Sequence, residues 1–453
     1  MDTISAIATP QMPGGIGIVR ISGPEACRIA QAVFRAKSGR PVAEMAGYTA
    51  AYGQAVAGGQ LLDECIALRF RAPKSYTGED VVELSCHGGP YVMRRLLRAT
   101  VEAGARLAGP GEFTRRAFLN GRIDLTRAEA VMQIVGARGR EAAHAAAAQQ
   151  DGALFRRIAA LRGEIQELAA DLIGYIDFPD DDIPTLEPTY LTAKLGELAE
   201  RLTELADSFH KGQLLTEGID TVIVGRTNAG KSTLMNRLAD AEASIVTDIP
   251  GTTRDVVERT VAFGGLTLRL ADTAGLRESD DPVERIGVDR ARKRMGSAAL
   301  VLAVFDASAP LTEEDRRLAE SLTGRHAVAV LNKNDLPRAI DEGYLRAHFD
   351  RLVSLSAAHG AGMEELARAI GEAVGAASLD PGEGILANER QHGCVLRCRE
   401  AISDARRAVA DGVTLDAVSV CIEEAADALA ELTGEKASDA IIDRIFSKFC
   451  IGK

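Results

Sequence analysis

Apolar positions along the chain follow two different periods. Residues 15–22 alternate and are β-branched, which predicts a strand, and 66–70 and 81–86 read as two more. Ser22-Gly23-Pro24 ends the first, and helices are predicted from 25 to about 35 and over 91–102, the second with arginines on one face. Residues 75–80 form a turn, 87–90 a sharp loop around His87, and 109–113 a breaker-rich loop. His87 reads as fixing that turn rather than as an acid–base group. This stretch, 1–118, is expected to be a mixed α+β domain.

From 114 to about 211 the period becomes helical. Residues 142–150 are Ala-rich, and Leu154, Ile158, Leu161, Ile165 and Leu168 mark a buried stripe. The acidic stretch 178–184 interrupts it and reads as a solvated inter-helix loop rather than a metal site. Across 216–378, strand-like runs at 221–224, 267–271, 299–305, 327–331 and 352–355 alternate with helical ones. That alternation predicts a doubly wound parallel sheet. Helix returns over 385–453. The expected domains are 1–118, 119–215, 216–378 and 379–453, a multidomain α/β chain in which all-α sequence flanks the doubly wound domain.

Between the first of those strands and its helix stands Gly225-Arg226-Thr227-Asn228-Ala229-Gly230-Lys231-Ser232, a complete G-x-x-x-x-G-K-S. Strand, glycine loop and helix are the context this motif requires. The glycines let consecutive N–H groups converge on a phosphate, and the helix N-terminus adds partial positive charge. Lys231 supplies a point charge for the outer phosphates, and Ser232 can ligate magnesium. A chance glycine turn is the bland alternative.

Four further motifs follow in order. Gly251-Thr252-Thr253-Arg254-Asp255 lies in the switch position, where a Thr hydroxyl completes a magnesium shell. Asp272-Thr273-Ala274-Gly275 offers a carboxylate to that shell and an N–H to the γ-phosphate. Asn332-Lys333-Asn334-Asp335 ends a strand, and its carboxylate can accept two hydrogens from the guanine edge, which selects GTP over ATP. Ser354-Leu355-Ser356-Ala357-Ala358 supports the base. Many small GTPases carry a water-orienting Gln after D-x-x-G, but here Leu276 follows Gly275. Glu278 and Glu284 are both acidic candidates for that task, and the residues alone leave the choice open.

Composition narrows the setting. At 453 residues the chain exceeds one ordinary core, and 46% hydrophobic content fits a globular protein. No apolar run is long enough to span a bilayer. The segment 1–6 is acidic and lacks a signal-peptide layout, so a cytoplasmic protein is expected. Seven scattered cysteines form no disulfide framework. Cys394 and Cys398 read as core residues of a helix, without a second pair at zinc spacing. A formal charge of −12 disfavours broad nucleic-acid binding, and 4% aromatics without Trp argue against a single-strand stacking platform. A local basic patch remains compatible with both.

The ordered motifs resemble the translation-factor-related GTPases. A closer resemblance rests on Asn228, on Ile245-Val246-Thr247-Asp248-Ile249-Pro250-Gly251-Thr252-Thr253-Arg254-Asp255, on Asp272 to Glu278, and on the tail Phe449-Cys450-Ile451-Gly452-Lys453. Ala8-Thr9-Pro10, Arg20-Ile21-Ser22-Gly23, Tyr76-Thr77-Gly78-Glu79-Asp80, His87-Gly88-Gly89-Pro90 and Pro110-Gly111-Glu112-Phe113-Thr114 extend it through the N-terminal part. Together they resemble the MnmE (TrmE) family of tRNA-modification GTPases. The resemblance implies an N-terminal domain similar to tetrahydrofolate-binding domains that mediates homodimerisation. It also implies a helical domain in two segments, with the GTPase domain inserted between them.

The family acts on tRNA with a flavin-dependent partner, MnmG (GidA), which carries FAD, in a heterotetramer or larger complex. Together they add an aminomethyl or carboxymethylaminomethyl group to C5 of the wobble uridine, the one-carbon unit coming from a tetrahydrofolate derivative (5-formyl or 5,10-methylene). By resemblance, GTP contacts fall on Asn228, Ala229, Gly230, Lys231, Ser232 and Thr233, on Thr247, Asp248, Ile249, Pro250, Gly251, Thr252 and Thr253, on Asp272, Thr273, Ala274 and Gly275, on Asn332, Lys333, Asn334 and Asp335, and on Ser356, Ala357 and Ala358. Mg2+ falls to Ser232 and Thr253. K+, which activates the family by pairing G domains, falls to Asn228, Thr247, Ile249 and Thr252. Glu284 matches the family's water-positioning acid. Folate contacts fall on Arg20, Glu83, Arg122 and Lys453, with Arg122 standing where Lys also occurs. Cys450 is read as a catalytic thiol near the folate, in an electropositive setting with Lys448 and Lys453; a small packing residue is the alternative. Two other functions compete: a GTPase switch in ribosome assembly, and a stand-alone folate-dependent one-carbon transferase.

Overall fold

The computed structural model describes residues 2–177, 187–240, 258–271, 298–375 and 382–453. They fall into two units: Met1–Met132, Ile158–Gln166 and Ala426–Lys453 form the first, and Gln133–Arg157 and Glu167–Ala425 the second.

The first unit is built on seven strands: β1 (Ile4–Ile7), β2 (Gly14–Ser22), β3 (Phe34–Ala36), β4 (Thr49–Ala57), β5 (Gln60–Phe70), β6 (Val81–Gly88) and β7 (Arg106–Leu107). Their order is β3-β4-β5-β6-β2-β1-β7. All pairs are antiparallel except β1 with β7. Helices Ala26–Val33 and Pro90–Glu102 bury Ile29, Val33, Met93 and Leu96 against Val19, Ile21, Val82 and Leu84. Pro90 opens its helix at a position whose N–H would have no intrahelical partner in any case.

Several strands differ from expectation. β4 was not anticipated, because Thr49–Ala57 is rich in Ala and Gly, which have low strand propensity. Its hairpin with β5 turns on Gly58 and Gly59, whose φ of 58° and 80° suit a type I′ turn. β1, β3 and β7 are short and equally silent. His87 and Gly88 continue β6 instead of turning, because Asp63 accepts from the His87 backbone N–H at 2.8 Å and pairs with its Nδ1 at 2.8 Å. Glu112 and Phe113 begin helix Glu112–Leu119 instead of lying in a loop. Gly111, at φ 63°, precedes it.

Helical sequence forms helices as expected: Leu125–Gly136, Arg140–Gln150, Ala153–Asp177, Pro188–Glu217, Glu389–Ala410, Leu415–Thr433 and Asp439–Phe446. Leu154, Ile158, Leu161, Ile165 and Leu168 are all buried. Helices Pro188–Glu217 and Glu389–Ala410 lie in the second unit, where Phe209 stacks on His392 with centroids 4.3 Å apart. Cys394 and Cys398 are buried, and desolvation pushes the Cys398 thiol up to about 12. Among the described residues no group of three or more His, Cys, Asp or Glu is arranged to hold a metal ion. The acidic stretch 178–184 lies outside the described residues.

The second unit's sheet runs β13-β12-β11-β8-β10-β9, from β8 (Ile219–Val224), β9 (Glu258–Phe263), β10 (Leu266–Ala271), β11 (Leu300–Asp306), β12 (Ala327–Asn332) and β13 (Leu352–Ser354). Five strands are parallel, and β11 is buried along its whole length, as a strand covered on both faces must be. The sheet is not wholly parallel. β9 is an antiparallel edge joined to β10 through Gly264 and Gly265, at φ 59° and 84°.

Candidate functional site

β8 delivers the chain to Gly225, and helix Lys231–Asp240 leaves from Lys231. Gly225 has φ 145°, and a Cβ there would lie 2.2 Å from the Val304 carbonyl. Gly230 has φ 98°, and a Cβ would lie 2.0 Å from Asn332 Nδ2. Neither position admits a side chain. Asn228 is left-handed at φ 64°, which Asn tolerates, and is exposed at the loop tip. Ala229 is buried, while Ser232 and Thr233 are exposed at the helix start. Lys231 Nζ donates to the loop's own carbonyls, Gly225 at 2.6 Å and Arg226 at 2.8 Å. Burial holds its pKa below the usual Lys value. A half-buried ammonium at the start of a helix, beside a glycine loop, fits a polyphosphate.

The tetrad Asn332-Lys333-Asn334-Asp335 is fastened to this loop. Asn332, 3% exposed, donates from Nδ2 to the Ala229 carbonyl at 2.9 Å, and its Oδ1 accepts from the Ala357 N–H at 3.0 Å. One buried amide therefore joins the phosphate loop to the base-supporting loop. Lys333 sits at φ 64° and pairs with Asp306 at 2.7 Å. Asn334 accepts from Arg338 at 2.9 Å. Asp335 is open to solvent, and Ser356 and its own backbone hold its carboxyl below the usual value. It is ionised at neutral pH, the state in which a carboxylate could accept two hydrogens from a guanine edge.

Four residues here, Arg237, Arg226, Asp306 and Asp315, make links that no motif reveals. Arg237 donates to the Ala357 and Ala358 carbonyls at 3.0 and 2.6 Å, tying helix Lys231–Asp240 to the base loop. Arg226 lies 3.7 Å from Asp306 and 3.5 Å from Asp315, within ion-pair reach but outside hydrogen-bond geometry. No spacing rule connects residues so far apart in the chain. Thr247 to Thr253, Asp272 to Gly275, Glu278 and Glu284 lie outside the described residues.

The first unit gathers a second set. Arg20 and Glu83 are cross-strand partners on β2 and β6, joined at 2.7 Å. Arg20 also lies 5.5 Å from the Phe113 ring centre and 5.8 Å from that of Tyr76, and donates to the Gly452 carbonyl at 3.2 Å. The tail reaches it by backbone pairing. Gly111 N–H donates to the Cys450 carbonyl at 3.3 Å, Phe113 N–H to the Lys453 carbonyl at 3.2 Å, and Pro110 bridges Ile451. Gly452 has φ 95°, and a Cβ would meet the Ile7 carbonyl at 2.3 Å. Arg122 is exposed, its Cγ 3.4 Å from where a Gly78 Cβ would stand. Arg20, Glu83 and Lys453 are thus brought to one place, and Arg122 lies against the neighbouring turn. Cys450 is exposed.

Behind this set Arg116, 5% exposed, is held by Asp2, Glu79 and Glu112 at 2.6, 3.1 and 3.1 Å. Arg106 pairs with the same Asp2 and Glu112. Its hydrogen bond, reinforced by Arg116 against some desolvation, lowers the Asp2 carboxyl to about 2.

Comparison with known proteins covers the whole chain. The family description "GTP-binding protein TrmE N-terminus" matches residues 3–122, and "MnmE helical domain" matches 125–450. The tRNA modification GTPase MnmE of Heliobacterium modesticaldum is 44% identical over 100% of this chain and 99% of its own length. That of Symbiobacterium thermophilum is also 44% identical, with the same coverage. Among solved structures, the G domain of the T. maritima FeoB iron transporter is 28% identical over 34% of this chain and 98% of its own, with a TM-score of 0.27.

Proposed function

From the premise that this chain belongs to the MnmE family of tRNA modification GTPases, we propose that it hydrolyses GTP to control modification of C5 of the wobble uridine in tRNA, forming an aminomethyl or carboxymethylaminomethyl group. The observation that supports the GTPase part is Asn332, which fastens the glycine loop before helix Lys231–Asp240 to the Ser354–Ala358 loop. Asp335 reads the base, Lys231 leaves its carbonyl partners for the outer phosphates, and the backbone N–H groups from Asn228 to Ser232 orient them.

Bound magnesium and potassium would neutralise charge that builds on the transferring phosphoryl group. Ser232 and Thr253 are the proposed magnesium ligands, and Asn228, Thr247, Ile249 and Thr252 those of potassium. Asp272 to Gly275 face the γ-phosphate in this reading, and Glu284 orients the attacking water, a task for which Leu276 has no acceptor.

In the first unit, Arg20, Glu83, Arg122 and Lys453 are the proposed contacts of a tetrahydrofolate derivative. The Arg20–Glu83 pair next to two aromatic rings supports that reading, since it offers both charges beside flat apolar surface. Cys450 is the proposed thiol of the one-carbon chemistry. The N-terminal domain, 1–118, pairs two copies, and the helical segments 119–215 and 379–453 flank the GTPase domain, 216–378. A flavin-dependent MnmG partner supplies FAD. Among the described residues no helix is long and apolar enough to cross a membrane, and the reading places the work in the cytoplasm.

Nucleoside mass spectrometry of bulk tRNA from a deletion strain tests the reading. Loss of the wobble modification, restored by the wild-type gene and not by Cys450→Ser, is the expected result. Restoration by both would remove Cys450 from the chemistry. An unchanged profile on deletion would overturn the reading in favour of a ribosome-assembly switch.

A further inference from the structure

Helix Pro90–Glu102 turns Met93, Leu96, Ala99 and Thr100 into the core of the first unit. Its other side carries Tyr91, Arg94 and Arg98, all exposed, with Arg95 half-buried between them. Spacings of three, four and seven residues from Tyr91 put the four on one stripe, about 10 Å long at 1.5 Å per residue. Arg28 joins it just beyond the helix, where its Nη1 donates to the Ala103 carbonyl at 3.2 Å.

Two carboxylates face this patch: Glu102, 2.8 Å from Arg98, and Glu25, paired with Arg28. Among the described residues neither Arg94 nor Arg95 has a carboxylate at ion-pair distance. The setting sharpens the contrast. Residues 1–118 carry fourteen Lys and Arg against ten Asp and Glu, whereas the whole chain is at −12.

We propose that this stripe docks the tRNA substrate, with the Arg94, Arg95 and Arg98 guanidiniums on backbone phosphates and the Tyr91 ring against a sugar or unpaired base. This rests on the tRNA reading of the preceding section and adds where the substrate is held. An acidic protein repels a polyanion as a whole, so binding must come from a local excess of cations. Arginine forks suit phosphate oxygens in pairs, and an exposed aromatic beside them is the usual companion in RNA recognition. A protein-binding patch would carry an apolar centre. Here Tyr91 is the one large apolar side chain on the stripe.

The test uses the full chain and an in vitro tRNA transcript with uridine at the wobble position. Its affinity is measured by fluorescence anisotropy across a salt series. The Arg94→Ala/Arg95→Ala/Arg98→Ala variant should lose roughly two to three from the slope of log affinity against log salt, because each phosphate contact contributes about 0.9. Affinity should fall at least tenfold at moderate salt, with basal GTP hydrolysis unchanged. Lysines at the same three positions should retain the slope. Lys37→Ala/Arg40→Ala, which removes two cations elsewhere in the domain, should leave slope and affinity unaltered. Wild-type slope and affinity in the triple alanine variant would overturn the proposal, as would equal losses in the Lys37/Arg40 variant or no binding by the wild-type chain. A triple variant that binds normally, beside a deletion strain lacking the wobble modification, strikes the docking face alone. An unchanged nucleoside profile on deletion strikes the reading beneath it.

Discussion

Asn332 and Asp335 stand in one tetrapeptide and do different work. The amide of Asn332 satisfies two groups in distant loops and is itself buried. Asn332→Ala orphans both, at roughly 1–3 kcal/mol for each buried polar group left unpaired. Calorimetry should show a lowered melting temperature, and a fluorescent guanine nucleotide should bind at least tenfold more weakly. Asp335 is exposed and holds the fold together very little. Asp335→Asn should weaken guanine-nucleotide binding on a similar scale while the melting temperature stays within about a degree, since exposed side chains contribute little to stability. The motif marks both residues as expected guanine contacts. It did not reveal that the first is a fastener, because its partners, Ala229 and Ala357, lie 103 and 25 residues away. Arg237 and the Arg226–Asp306–Asp315 group were hidden for the same reason.

Among elements, the tail and the loop before helix Glu112–Leu119 depend on each other. A Cβ at Gly111 would meet the Phe446 carbonyl at 2.8 Å, and one at Gly452 the Ile7 carbonyl at 2.3 Å. Gly452→Ala combines this clash with a left-handed backbone and should cost about 1–3 kcal/mol. Urea unfolding followed by a probe in the first unit should register it, with basal GTP hydrolysis unaltered. The same region sets an acid limit. The Asp2 pKa is lowered from 3.8 to about 2, so its contribution to stability is full above about pH 4 and is lost as pH falls through 2. Asp2→Asn should therefore flatten the decline of the urea midpoint below pH 4 and lower the midpoint at neutral pH. Strands were read where β-branched residues alternate, as in β2, and missed where glycine and alanine fill the run, as in β4. Two Gly-Gly turns, at 58–59 and 264–265, carried the unused signal for β4 and for the antiparallel β9.

For the molecule as a whole, the proposed potassium ligands imply that hydrolysis belongs to a pair of G domains rather than to one. The turnover rate should then be much higher in potassium than in sodium at equal ionic strength. Equal rates in stopped assays would remove the assignment of Asn228, Thr247, Ile249 and Thr252. The broad plan was legible because composition switches period three times, from strand alternation to helix to alternating runs and back to helix. The joining of distant segments was legible only through the family resemblance and not from any local pattern, since contacts between residues hundreds of positions apart leave no local trace.

That joining has a consequence for how the protein is made. The loop at Pro110 is bridged by Ile451, and Arg20 finds the Gly452 carbonyl. At synthesis rates of about 5–20 residues per second, some 20–70 s separate the emergence of Pro110 from that of Ile451. During that interval the loop before helix Glu112–Leu119 lacks its backbone partners, and the Arg20–Glu83 pair lacks the carbonyl that Arg20 will reach. A ribosome that stalls after Ser354 has emerged but before Ile451 leaves a chain that holds every strand of the second unit's sheet and lacks the tail of its first unit.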